Sequence, residues 1–308
     1  MKLLNLSKKK KEENLNMLKI DNLNKSYGKV KILTDINLTL EENKIYGLLG
    51  RNGVGKTTLL SIISNHIKCS SGELSFGNEN IYENTKAVEN ICMVREKGIP
   101  IDDYKIKKIF EIAKILYKDW DEEYKNYLVK EFNLNLKKKY NKLSRGNQTI
   151  VGLIIGLASR AKLTVFDEPS LGLDAAFRYK FYNLLMEDTE KNPRTVIIST
   201  HLIDEVTNLF EEVIILKDEK VYIRDEVSNI MDKGYFLSGR SENILPIIKD
   251  KNIIHEEEFG STSILGIFDN LTEEEKLMLK NKGVEISSIP LQKLFVYLTE
   301  KHMEKEAI

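Results

Sequence analysis

Only two cysteines, Cys69 and Cys92, occur in 308 residues. They fit no metal-ligand or disulfide spacing and read as free thiols of a reducing compartment. An excess of charge of either sign is also missing. Lysine plus arginine and aspartate plus glutamate number 47 each, so the balance gives no reason to expect nucleic acid as a partner. No apolar run reaches the roughly 18 residues that a membrane helix needs. The longest, Ile150 to Ala158, reads as a buried core helix. The first residues, MKLLNLSKKKKEENLN, have no sustained apolar region around their lysines and are not read as a signal peptide. Residues 1–16 read as a solvated flexible tail in which Lys8 to Lys11 repel one another. The alternative reading is a weak anchor to anionic lipid. If the protein works at a membrane, the membrane part is expected on another chain.

What is present is the composition of a soluble globular protein, 42% apolar and 31% charged, long enough for one large domain or two smaller ones. From Met17 the pattern is β. Ile36, Leu38 and Leu40 alternate with polar residues, and so do Leu74 and Phe76 after the turn at Ser71-Gly72. An oily strand at 45–49 is followed by a glycine loop and a helix from about Lys56. Further short oily strands at 163–166, 196–199 and 213–216 are separated by helices. That order indicates a parallel sheet covered on both faces, an α/β fold. Between two of its strands lies a helical insertion, about 97–160. Ile106, Ile109, Phe110, Ala113, Leu116 and Tyr117 recur there at helical spacing, followed by Trp120, Tyr124, Tyr127, Leu128 and Phe132. This aromatic stripe is read as core. After about residue 225 the pattern becomes a strand at 235–238, a helix at 243–248, and strands at 253–257 and 263–268. A helix at 273–282 with a cap near Thr272, a strand at 284–287 and a helix from Leu291 follow. The order βαββαβ predicts a small α+β domain of ferredoxin-like type over 226–308.

The chemistry begins at Gly50-Arg-Asn-Gly-Val-Gly-Lys-Thr57, which matches GxxxxGK[ST] between a predicted strand and a predicted helix. Glycines let successive backbone N–H groups turn inward, and a helix N-terminus adds positive potential, so the loop cradles phosphate oxygens. Asn52, Gly53, Val54, Gly55, Lys56, Thr57 and Thr58 are the expected nucleotide contacts. Lys56 adds a point charge, and Thr57 offers a hydroxyl to Mg²⁺. Leu163 to Glu168 is an oily strand with two carboxylates at its carboxyl end, where ligands bind in open parallel sheets. Asp167 is expected to hold Mg²⁺ through water, and Glu168 to orient and polarise the attacking water. His201 follows another core strand, and a neutral imidazole there would donate to a γ-phosphate.

LSRGNQ, residues 143–148, is different. It has no pair of carboxylates, no nucleophile beside a base and no metal spacing, so alone it does no chemistry. Its place in the order of motifs explains it. From about Met17 to Asp225 the chain resembles the nucleotide-binding subunit of an ATP-binding cassette (ABC) transporter. Tyr27 matches the aromatic residue on which adenine stacks, and Gly50 to Thr58 the Walker A loop. Leu143-Ser-Arg-Gly-Asn147 resembles the LSGGQ signature. Leu163 to Glu168 matches Walker B, Leu171-Gly-Leu-Asp174 the D-loop, and Thr200-His201 the switch histidine.

The resemblance implies a P-loop ABC ATPase domain with a parallel core sheet, an N-terminal antiparallel β subdomain and a helical subdomain. It implies cleavage of ATP with Mg²⁺, with Glu168, His201 and Lys56 as the catalytic groups. It implies a head-to-tail dimer, a homodimer favoured over a heterodimer. There Ser144, Gly146 and Asp174 serve the nucleotide of the second subunit, and ATP closes the dimer while hydrolysis opens it. Glu96 stands where the family has its Q-loop glutamine and is assigned to Mg²⁺. Arg145 and Asn147 replace a glycine and a glutamine of the signature. Trp120-Asp-Glu-Glu123 and residues 289–299 look like ATPases of ABC-2-type exporters. Those pair with a separately encoded permease at the cytoplasmic face of the membrane, here with residues 95–108 as the candidate dock. The alternatives are a soluble ABC-type ATPase and a regulatory ATP-binding module without transport.

Overall fold

Ile36, Leu38 and Leu40 are almost fully buried while the residues between them face outward, as period-2 alternation in a half-buried strand requires. The computed structural model describes residues 16–77, 79–82, 84–95 and 103–300. The chain opens with β1 (Asn16–Tyr27), β2 (Val30–Glu41), β3 (Ile45–Gly50) and α1 (Lys56–Ile63). Then come β4 (Ser71–Phe76), β5 (Glu79–Asn80), α2 (Thr85–Val88) and β6 (Ile91–Arg95). The helical insertion holds α3 (Ile106–Leu116), α4 (Glu122–Glu131) and α5 (Arg145–Ala158). The chain returns through β7 (Leu163–Asp167), α6 (Ala175–Lys191), β8 (Thr195–Ser199), α7 (Ile203–Val206), β9 (Glu212–Lys217) and β10 (Lys220–Glu226).

β1, β2, β4 and β5 form an antiparallel sheet in the order β2-β1-β4-β5. The central sheet runs β10-β9-β3-β8-β7-β6. Five of its strands are parallel, and every residue of β3, β7 and β8 is buried. The sheet is mixed rather than purely parallel, because β10 pairs antiparallel with β9 at one edge. The two-residue turn Asp218-Glu219 makes that return, both residues at positive φ as a tight hairpin demands. Sequence reasoning missed β10. Its charged residues and alternating exposure suit an edge strand with no continuous apolar run. Consecutive core residues of β3 face opposite ways. Leu48 packs with Leu59, Leu60 and the antiparallel sheet, and Leu49 packs with the helical side.

In the insertion, Ile106, Ile109, Phe110, Leu128 and Phe132 are buried as the helical spacing predicts. Leu116 and Tyr127, expected on the same packed stripe, are instead 62% and 45% exposed. Leu116 is the last residue of α3, and the next residue, Tyr117, packs on the core instead. Asp121 caps α4 by accepting from the Tyr124 amide, and Ser144 caps α5.

The last third contains α8 (Val227–Met231), β11 (Gly234–Gly239), α9 (Ser241–Ile244), β12 (Ile253–Phe259), β13 (Thr262–Phe268), α10 (Glu273–Asn281), β14 (Glu285–Ser288) and α11 (Leu291–Thr299). Its four strands are antiparallel in the order β12-β13-β11-β14. The helix expected at 243–248 is α9, which is shorter and starts earlier. Thr272 and Glu275 form a reciprocal capping box on α10. α11 folds back so that Leu291, Leu294 and Leu298 join the core that holds Ile203, Val206 and Val213. Lys217 Nζ also donates to the Leu298 carbonyl at 2.7 Å. Among the described residues, no helix is long and apolar enough to cross a membrane.

Candidate functional site

β3 is buried from end to end, so the chain must leave the sheet at Gly50 and turn sharply before α1. Gly55 makes the turn possible. Its φ is +109°, and a Cβ there would lie 2.9 Å from the Ile32 carbonyl oxygen and 2.8 Å from Leu33 Cδ2. No other residue satisfies both the backbone angle and the close approach. Gly55 is also the N-cap of α1 and supplies no side chain to its amides. A helix start of this kind attracts an anion through free N–H groups and its dipole. Lys56 is 8% exposed, and its Nζ donates to the Gly50 carbonyl at 2.6 Å. Burial pushes this ammonium below its ordinary range, while the charges of Glu168 and Asp167 pull the other way. A cavity of about 260 Å³ opens over the loop. Asn52 to Thr58 line it, apart from Val54, together with Ile32 and Glu168. Val54 instead packs beneath the loop with the buried residues of the antiparallel side.

At the end of β7 two carboxylates diverge. Asp167 is 5% exposed and accepts a 2.6 Å hydrogen bond from Ser199 Oγ. The same Ser199 Oγ accepts from the Glu168 amide at 3.1 Å, so one buried hydroxyl spans both residues. Glu168 has φ +52°, a left-handed conformation that most often falls to Asn or Asp in this chain. Such a backbone costs on the order of 1–3 kcal/mol and persists only where its surroundings impose it. Its carboxylate Oε2 lies 2.8 Å from Nδ1 of His201, which is half exposed. An ionised Glu168 accepts there, so Nδ1 carries the proton. A neutral imidazole has only that one N–H, which leaves none for a γ-phosphate. The expected donation therefore requires an imidazolium or release of His201 from Glu168.

The other expected contacts lie elsewhere. Tyr27 ends β1, is 54% exposed and has Lys25 Nζ 4.8 Å above its ring, but does not line the cavity. Ser144 is exposed and accepts from the Asn147 amide at 3.4 Å. A Cβ on Gly146 would lie 2.6 Å from the Gly172 carbonyl oxygen, and Thr149 Oγ1 donates to the Leu171 carbonyl at 2.9 Å. Asp174 is exposed and caps α6, accepting from the Phe177 amide at 2.9 Å. The start of α5 and residues 171–174 thus form a second cluster, apart from the cavity lining. Glu96 lies outside the described residues, as do residues 96–102 of the candidate dock. Sequence reasoning missed Ser199. Its one signal was a polar residue closing an oily strand two positions before His201.

A family model described as "ABC transporter" matches residues 33–171. The ABC transporter ATP-binding protein YtrB of Bacillus subtilis is 31% identical over 190 residues, which span 62% of this chain and 65% of YtrB. The tungstate uptake system ATP-binding protein TupC of Peptoclostridium acidaminophilum is 30% identical, across 60% of this chain and 87% of TupC. The bacitracin transport ATP-binding protein BcrA of Bacillus licheniformis is 24% identical over 289 residues, covering 89% of this chain and 93% of BcrA. Among solved structures, a dimeric ATP-binding cassette in a post-hydrolysis state with ADP and phosphate superposes with a TM-score of 0.59 at 24% identity. That match covers 68% of this chain and 99% of the other, and it establishes a shared fold.

Proposed function

Because the chain belongs to the ATP-binding proteins of ABC transporters, we propose that it drives an exporter through a separately encoded permease, by ATP-dependent closure of a homodimer. Family membership makes it an ABC-type ATPase, which cleaves ATP with water to ADP and phosphate. The observation that carries the fuller reading is the separation of the two clusters. The glycine loop and Glu168 share one cavity, whereas Ser144, Gly146 and Asp174 sit on an exposed helix start and loop outside it. An exposed helix N-terminus packed on a D-loop is suited to close over the nucleotide of a second copy. The solved relative with ADP and phosphate is a dimer.

In this reading the phosphates rest on the amides of residues 52–58, with Lys56 as the buried cation. Tyr27 stacks on adenine. Glu168 orients the attacking water and accepts its proton as the oxygen bonds to phosphorus and ADP leaves. His201 holds the Glu168 carboxylate in place. The donor set fits a divalent ion: Thr57 has a hydroxyl at the cavity, Asp167 is a buried carboxylate held by Ser199, and Glu96 is the third ligand by resemblance. Mg²⁺ bound there supplies charge neutralisation at the phosphate oxygens.

Residues 17–225 form the ATP-binding domain, with the helical subdomain at 97–160. Residues 226–308 form an accessory domain of ferredoxin-like type, a reading supported by the strand order β12-β13-β11-β14. The extended match to BcrA supports a shared transport role. The exporter assignment rests on Trp120 to Glu123 and residues 289–299, and places the protein peripherally at the cytoplasmic face of the membrane.

The test is light scattering on Glu168→Gln with and without ATP and Mg²⁺. A shift from monomer to dimer only with ATP, abolished by Ser144→Arg, is the expected result. A protein that binds ATP yet stays monomeric overturns the homodimer.

A further inference from the structure

α7 has four residues, too few to hold a helical position by itself. It begins two residues after His201, so whatever fixes α7 also fixes the imidazole relative to Glu168. Three successive residues of α7 are held from outside. Ile203 is buried in the main core with Leu291 and Leu294 of α11. The Asp204 amide donates to Oε1 of Gln292 at 3.3 Å. Glu205 receives both arms of one guanidinium: Arg178 Nε donates to Oε2 at 2.9 Å and Nη2 to Oε1 at 2.8 Å. The third arm of Arg178, Nη1, donates to the Leu173 carbonyl at 3.1 Å, immediately before Asp174. One side chain on the first turns of α6 therefore ties the loop at 171–174 to the segment that follows His201. The pair is only partly exposed, 21% at Arg178 and 39% at Glu205. Bidentate, partly shielded pairs of this kind hold geometry where ordinary surface ion pairs do not. α6 does not need the pair for its own stability, since it runs 17 residues and already has Asp174 as its cap.

We propose that Arg178, through its paired hydrogen bonds to Glu205, is a positioning residue for ATP hydrolysis, locking the D-loop to the segment that carries His201. Arg178 does not touch substrate. It sets where His201 stands against Glu168 and makes the loop that would meet a second copy move with the hydrolytic pair. This rests on the reading that Glu168 and His201 serve hydrolysis in this chain.

The test is steady-state ATPase kinetics and thermal unfolding on the full chain and on Arg178→Ala, Arg178→Lys, Glu205→Gln, the double variant Arg178→Ala/Glu205→Gln, and the exchanged pair Arg178→Glu/Glu205→Arg. Loss of positioning lowers kcat by about tenfold or more, because misplacement of about an ångström costs up to about a hundredfold. KM for ATP stays within about twofold, since the phosphate cradle is untouched. Arg178→Lys does not rescue, because an ammonium lacks the planar fork. The double variant is no worse than the worse single variant, and the exchanged pair recovers part of kcat. An active wild type with unchanged kcat in Arg178→Ala overturns the lock, as does a loss in kcat that simply tracks a lower folded fraction. An inactive wild type overturns the hydrolytic reading on which the lock rests.

Discussion

His201 Nδ1 stands 2.8 Å from Glu168 Oε2, and Glu168 reaches that point from a backbone held at φ +52°. The strained angle turns the carboxylate away from buried Asp167, its chain neighbour, and into the cavity above the glycine loop. Two adjacent acids thereby receive separate surroundings, one closed in by Ser199 and one open to the cavity. Glu168→Gln keeps the shape and removes the proposed base. Turnover is expected to fall by about 10²–10⁴, the usual contribution of a positioned acid–base group. ATP affinity should be retained. Phosphate release and nucleotide binding measured on the same preparation decide it, and near-normal turnover would remove Glu168 from the chemistry.

Ser199 Oγ donates to Asp167 Oδ1 at 2.6 Å and accepts from the Glu168 amide at 3.1 Å, inside the sheet. Ser199→Ala leaves a buried carboxylate oxygen without its donor. The expected cost is about 1–3 kcal/mol of stability, read from urea unfolding. An unchanged midpoint would mean that another donor replaces the hydroxyl.

Gly146 meets the Gly172 carbonyl where any Cβ would stand 2.6 Å from that oxygen. The obstacle is backbone, so it yields only if α5 and the loop move apart. Gly146→Ala is expected to cost about 1–3 kcal/mol, as overpacking does. ATP-driven dimer formation should weaken more than the melting temperature alone explains. Wild-type stability together with wild-type dimer formation would show that the contact has no role.

Arg95 Nη2 lies against His66 Nδ1. A guanidinium only donates, so His66 must accept and stay neutral. Burial and the Arg95 charge hold its pKa below the ordinary value of about 6.5. The unfolded chain then binds the proton first. The contribution of His66 to stability is complete above about pH 6.5 and is lost as pH falls through the depressed folded value. Thermal unfolding should show a decline as pH falls below about 6.5 that is smaller in His66→Asn. Parallel pH profiles would contradict this.

Leu294 is fully buried between the last third of the chain and the main core, and any Cβ on Gly234 would press against it. Leu294→Ala is expected to cost about 2–5 kcal/mol. The first loss of protection in hydrogen exchange should appear in α11 and α7. Loss confined to α10 and β14 would show that α11 is not the joint.

The glycine loop from Gly50 to Thr57 was legible as a backbone element, though not the inward packing of Val54, because its requirements are local. A buried strand, glycines that permit positive φ and a helix start all lie within a few positions of one another. The carboxylates after Leu163 to Phe166 were legible for the same reason. Partners distant in sequence were not. Arg178 and Glu205 lie 27 positions apart and Ser199 and Asp167 lie 32 apart, and nothing in either neighbourhood announces the other. The exposure of Leu116 and Tyr127 shows the complementary limit, since periodicity states which residues share a face but not where that face runs out of neighbours.

By itself, then, the sequence determined the glycine loop, the oily strands, their carboxylate end and the order of motifs, all set by backbone conformation and burial over short stretches. Only the tertiary structure decided that β10 returns antiparallel, that Gly146 lies against the Gly172 carbonyl, and that His201 Nδ1 meets the Glu168 carboxylate. Each of those depends on which distant groups packing brings within hydrogen-bonding or contact distance. That is a property of the assembled core, not of any one segment.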